Sequence, residues 1–127
     1  MAVYSPERVT LEGEAIATID WDGRSGTKYH YWVYDIGTSL KQAAGNYVFA
    51  SQTEPGRYRP IYVGQTADLS ERFENHHQMP CIRQHGATHI CAHTHDAGEA
   101  ARRTEETDII QRWNPVCNEV GATAQAR

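Results

Sequence analysis

The stretch Ile61-Tyr62-Val63-Gly64-Gln65-Thr66-Ala67-Asp68-Leu69-Ser70-Glu71-Arg72-Phe73 constrains this chain more than any other, because it reads as a short strand running directly into a capped helix. Ile61, Tyr62 and Val63 are β-branched or aromatic, and Gly64 ends the run. Asp68 with Glu71 three residues on makes an acidic variant of the capping box, in which side-chain oxygens accept from the orphan N–H groups of a first helical turn. A helix is therefore expected from near Leu69, with Leu69, Phe73 and His76 on one face and Arg72 beside that stripe.

The neighbouring stretches extend the pattern. Gly45-Asn46-Tyr47-Val48-Phe49-Ala50 is a second β-favouring run, and the polar loop with Pro55-Gly56 makes the two a hairpin. Pro80 should stop the helix that began near Leu69. Residues 86–95 read as a further strand, and Glu99 to Trp113 as a helix with Ala100, Ala101, Ile109, Ile110 and Trp113 on its apolar face and Asn114-Pro115 as its stop. In the first 44 residues, Val9–Ile19 partly alternates and Lys28–Tyr34 is dense in aromatic and β-branched types, with Asp22-Gly23 and Ser25-Gly26 between them. A strand or hairpin packed on the main sheet is expected there, then a short helical turn around Ser39–Ala44. Tyr29, Tyr31 and Tyr34 should be core aromatics, with a nucleic-acid-stacking platform as the alternative. The expected class is α+β: a small antiparallel sheet, hairpin plus third strand, flanked by helices. Residues 1–44 form an N-terminal β-rich extension, 45–118 the core domain and 119–127 a tail.

With 127 residues, 39% hydrophobic and 22% charged, one domain with a modest core is the default. No apolar run approaches a transmembrane helix and the start lacks a signal-peptide pattern, so a cytoplasmic protein is expected, with no membrane partner. Cys81, Cys91 and Cys117 are an odd number without CxxC spacing, which argues for reduced thiols. His89, Cys91, His93 and His95 share one face of a strand, a row of zinc-donor types. Same-face residues about 7 Å apart cannot all converge on one ion, so a zinc site would need distant ligands as well.

The two tyrosine-bearing runs, Gly45-Asn46-Tyr47 and Tyr62-Val63-Gly64, resemble the GIY-YIG nuclease domain. The resemblance extends over about residues 45–118. Arg72 stands eight residues after Gly64, His76 follows one turn later, and Glu106, Pro115 and Asn118 reproduce the spacing of the later helix and its close. Asn46 departs from the pattern, which prefers an aliphatic residue there, and its side chain should point away from Tyr47.

The resemblance implies a metal-dependent endonuclease that hydrolyses phosphodiester bonds of nucleic acid, with DNA the expected substrate. Glu106 would hold a single Mg²⁺ or Mn²⁺ ion, Arg72 would place a fixed charge on the phosphate, and His76 would hydrogen-bond it or move a proton. Tyr47 and Tyr62 would orient the water, one acting as its base, and Asn118 would brace the site. A phenol of pKa near 10 is a poor base unless cations lower it. Gly64, Arg57, Arg59 and Arg103 are candidate substrate-binding positions. Only one acid occupies a matching position, so a one-metal mechanism is expected rather than a two-metal one. Net charge of −4 is the wrong sign for general nucleic-acid binding, so a homodimer or a separate DNA-binding protein is the expected partner. Two alternatives remain: an inactive module of the same fold that binds nucleic acid or protein, and a small zinc protein centred on the His89/Cys91/His93/His95 strand.

Helical phase bears on the metal ligand. Glu106 has Ile109, Ile110 and Trp113 at i+3, i+4 and i+7, which puts it on the inward stripe, whereas Glu105 is rotated about 100° toward solvent.

Overall fold

The two tyrosine runs form the longest strands among the described residues. In the computed structural model, which describes residues 15–71, 73 and 76–118, β3 (Gly45–Glu54) and β4 (Arg57–Thr66) make an antiparallel hairpin. Around them lie β1 (Ala17–Asp22), β2 (Lys28–Asp35), α1 (Met79–Gln84), β5 (His89–Thr94) and α2 (Glu99–Trp113). The strands form one antiparallel sheet in the order β1-β2-β5-β3-β4. The α+β class is as expected, but the sheet is larger: the β1–β2 hairpin hydrogen-bonds to β5 and continues the same sheet.

A register shift decides which side of the sheet carries the tyrosines. Phe49 pairs with Tyr62 and Ala50 with Pro60, which leaves Ile61 as the extra residue of a bulge. Without it, Tyr62 would share a face with Pro60 and Tyr58 by simple alternation. With it, Tyr62 joins Tyr47 on the face that packs Phe49, Ile61, Leu69, Met79, Ile82 and Cys117 beneath α1. The opposite face buries Trp21, Tyr31, Val33, Val48, Val63 and Cys91 against Ile109 of α2. Tyr31 and Tyr34 are both core residues, as expected of strand aromatics, while half-buried Tyr29 donates to Asp108 at 2.7 Å.

Several local expectations are corrected. Residues 67–71 form turns and a bend where an α-helix was expected to start. The reason lies in the two carboxylates: Asp68 Oδ1 accepts from the Ser70 amide at 2.9 Å and the Ser70 hydroxyl at 2.6 Å, closing a local turn. Glu71 takes the Thr66 hydroxyl at 2.5 Å, and the Leu69 amide donates back to the Ala43 carbonyl at 2.8 Å. Pro80 starts a helix instead of stopping one, since α1 begins at Met79 with proline in its first turn, where no N–H is needed. Residues 38–44 contain bends, not a helical turn. Cys81 of α1 is disulfide-bonded to Cys117, against the expectation of reduced thiols, because the fold brings together two cysteines 36 residues apart; Cys91 is free and buried. No helix among the described residues is long and apolar enough to cross a membrane.

Candidate active site

Tyr47 and Tyr62 lie one strand apart on the α1 face, ring centroids 6.2 Å from each other, with the His76 ring 4.9 Å from that of Tyr62. Gly64 makes their approach possible. A Cβ at that position would stand 2.6 Å from the Tyr47 hydroxyl and 2.9 Å from the Tyr62 ring, so any side chain would displace a phenol.

The hydrogen bonds of His76 fix its tautomer. Its Nδ1 accepts from the Gln78 amide at 3.0 Å, so the single proton of the neutral ring sits on Nε2, 2.8 Å from the Tyr47 hydroxyl oxygen, and is donated there. Burial, then the neighbouring His77, push the His76 pKa down to about 4, with Glu71 opposing. The ring is neutral at pH 7 and presents an N–H. Burial raises both phenols, Tyr47 far above its ordinary value and Tyr62 to about 12. Hydrogen bonding between the two raises Tyr47 and lowers Tyr62, which leaves Tyr62 the easier to ionise.

Glu106 is half-buried on α2, and its charge acts on both phenols through space. Burial raises its carboxyl pKa, with Arg103 opposing. No hydrogen bond or ion pair holds its oxygens among the described residues. A partly desolvated carboxylate without a partner fits a cation ligand.

Asn118 sits at the edge of β4, where its Nδ2 donates to the Val63 carbonyl at 2.8 Å and its Oδ1 accepts from the Val63 amide at 2.6 Å. It thereby braces the strand between Tyr62 and Gly64. Arg57 and Arg59 are exposed on β4. Arg103 is engaged with Glu99, 2.7 Å away. Arg72 lies outside the described residues.

The helical phase of α2 differs from the sequence expectation. Its buried residues are Arg102, Glu105 and Ile109, so Glu105 at 4% exposure is the inward carboxylate and Glu106 is on the flank. Three side chains receive Glu105: the Tyr31 hydroxyl and His93 Nε2 each lie 2.7 Å from Oε2, and His95 Nε2 lies 3.5 Å from Oε1. His93 Nδ1 donates to the Thr94 carbonyl at 2.8 Å, which orients the ring so that Nε2 faces Oε2. Arg102 is likewise satisfied by Gln65 and the His95 carbonyl. Asn46, fully buried, donates to the Arg102 carbonyl at 2.9 Å, so it ties β3 to α2 where an aliphatic residue could not.

This network also divides the His/Cys row. His93 and His95 turn to Glu105, Cys91 is buried, and His89 contacts Thr88 and Asp35. Among the described residues no three such side chains are grouped to hold a metal ion. No family model, curated protein or solved structure matches the chain. Glu105 escaped sequence reasoning because it carries charge on a buried stripe; the signal was the 102/105/109 spacing together with two histidines on the preceding strand.

Proposed function

We propose that this chain is a metal-dependent endonuclease of the GIY-YIG type, hydrolysing phosphodiester bonds of nucleic acid with DNA as the first substrate to test. The observation that carries the reading is the meeting of Tyr47, Tyr62 and neutral His76 beside Gly64, with a half-buried Glu106 that has no hydrogen bond or ion pair among the described residues and acts on both phenols.

Each residue has a role that its geometry permits. His76 donates its Nε2 proton to Tyr47, which holds the Tyr47 oxygen in place and directs that hydroxyl toward Tyr62. Tyr62, the more readily ionised phenol, is the candidate base for water. Its pKa near 12 requires a cation at the site before it can act at neutral pH. Glu106 would hold one Mg²⁺ or Mn²⁺, which when bound would supply positive charge to the scissile phosphate and the leaving oxygen. Arg72 is proposed to add fixed charge to the same phosphate, and Asn118 keeps Val63, and with it the strand carrying Tyr62, in register. With a net charge of −4, firm attachment to duplex DNA is assigned to a second copy or to a separate DNA-binding protein.

The test is cleavage of duplex, branched and single-stranded DNA and of RNA by the purified chain with Mg²⁺ or Mn²⁺. Cleavage lost on chelation and in Glu106→Gln is expected. Metal-independent cleavage, or none on any substrate, would remove the nuclease reading and leave a binding module.

A further inference from the structure

An acidic chain needs a local place to hold a polyanion, and several of its cations are already engaged. Arg103 is paired with Glu99, Lys28 with Asp22, and Arg102 is buried on Gln65 and the His95 carbonyl. Arg59 differs. It is exposed, makes no side-chain ion pair or hydrogen bond among the described residues, and lines a groove of about 450 Å³ with Tyr58, Pro60, His85, Trp113 and Pro115.

Tyr58, His85 and Trp113 give this groove flat walls, Arg59 is the arginine among its lining residues, and no acidic residue lines it. The Trp113 indole is fixed from behind, its Nε1 donating to the Asp22 carbonyl at 2.9 Å and its ring edge-on to Trp21 at 5.6 Å. The Arg112 guanidinium lies over it, 4.4 Å from the ring centroid. Tyr58 is set by an edge contact to His89 at 5.2 Å. Held rings lose little freedom when a planar ligand enters. Arg59 and Tyr62 are three residues apart on edge strand β4 with the Ile61 bulge between them, less than about 10 Å, while Tyr58 and Trp113 pack on the α2 side of the same edge.

We propose that the Tyr58/Arg59/His85/Trp113 groove is a subsite for one unstacked nucleotide of a single-stranded nucleic acid, flanking the phosphate at the candidate active site; the proposal rests on the nuclease reading. The base packs against the aromatic lining of Tyr58 and Trp113, and Arg59 meets an adjoining phosphate. Aromatic platforms interleaved with cations suit single strands, whose base faces are open, and not duplexes, whose faces are covered.

The experiment is fluorescence anisotropy of the full chain with a short labelled oligothymidylate, in chelator so that no cleavage occurs, over a salt series. Tyr58→Leu should weaken binding roughly five-fold or more. Arg59→Ala, an exposed change that should leave folding intact, should reduce the slope of log K against log salt by about 0.7. Lys41→Ala, outside the groove, should alter neither. Wild-type affinity and slope in Arg59→Ala, no binding by the wild type at low salt, or equal competition by an unlabelled duplex would each overturn the subsite. Groove-dependent binding without metal-dependent cleavage would keep the subsite and remove the nuclease, and cleavage with an indifferent groove would do the reverse.

Discussion

The two faces of the sheet hold their ionisable groups in opposite ways. On the α2 face, Glu105 is buried and its contacts to Tyr31, His93 and His95 leave little unmet. At the boundary with the α1 face, Glu106 is only half-buried and has no hydrogen bond or ion pair among the described residues, while the two phenols it acts on are aligned with the His76 imidazole. A satisfied buried network fastens a fold, because removing one member strands the others. An unsatisfied carboxylate beside polarisable groups is what a ligand or metal can use. The two glutamates are adjacent in sequence, and only their environments separate them.

The fastenings differ as well, and the comparison can be broken by removing each. The α1 face is closed covalently by Cys81–Cys117, next to Asn118 and its hold on Val63. Reduction, or Cys81→Ser with Cys117→Ser, should lower unfolding free energy by about 3–4 kcal/mol for a loop of this length. The Val63 amide should lose hydrogen-exchange protection ahead of β1 and β2. Thiol counting on the purified, non-reduced chain should give one free thiol, that of Cys91.

On the α2 face, Glu105→Leu leaves the Tyr31 hydroxyl and His93 without an acceptor, at a cost of about 2–4 kcal/mol in denaturant melts. Glu105→Gln should cost much less. A glutamine of the same shape keeps a polar atom at the Oε2 position, where its oxygen can still accept from the Tyr31 hydroxyl. Equal destabilisation by Leu and Gln would show that the network does not fasten this face.

The smallest effect is set by pH on the α1 face. The folded-state pKa of His76, about 4, lies below the ordinary value of 6.5. Between these values the unfolded chain binds a proton that the folded one excludes, so the contribution is full above about 6.5 and is lost as pH falls toward 4. Urea midpoints should therefore fall more steeply across that window in the wild type than in His76→Gln. Parallel curves would place His76 outside the buried cluster.

Much of the fold was legible because it is local. Tyr47 through Gly64 reads as a hairpin by β propensity and turn residues, and α2 by its length and its Asn114-Pro115 stop. The errors have physical causes. Asp68 and Glu71 fit a helix cap equally well as the turn that they make, and only Ser70 and Thr66 as partners decide between them. The phase of α2 was misjudged because Ile109, Ile110 and Trp113 dominate an apolar pattern, while the buried stripe runs through Arg102 and Glu105, whose burial depends on Gln65, Tyr31 and His93 far away in sequence. The cysteine pairing is likewise non-local. Of the site, the tyrosines, His76, Glu106 and Asn118 were named from the sequence; the bulge at Ile61 that aims Tyr62 was not, since it appears only in the strand register.

The central claim, that Glu105 fastens and Glu106 acts, is tested most directly by comparing Glu105→Gln and Glu106→Gln for metal-dependent cleavage and thermal stability. Glu106→Gln should lose about 10²-fold or more in rate, as when a charge-stabilising group is removed, with stability within about 1 kcal/mol of wild type. Glu105→Gln should keep most of its rate. Loss of rate in Glu105→Gln with activity retained in Glu106→Gln would contradict the account.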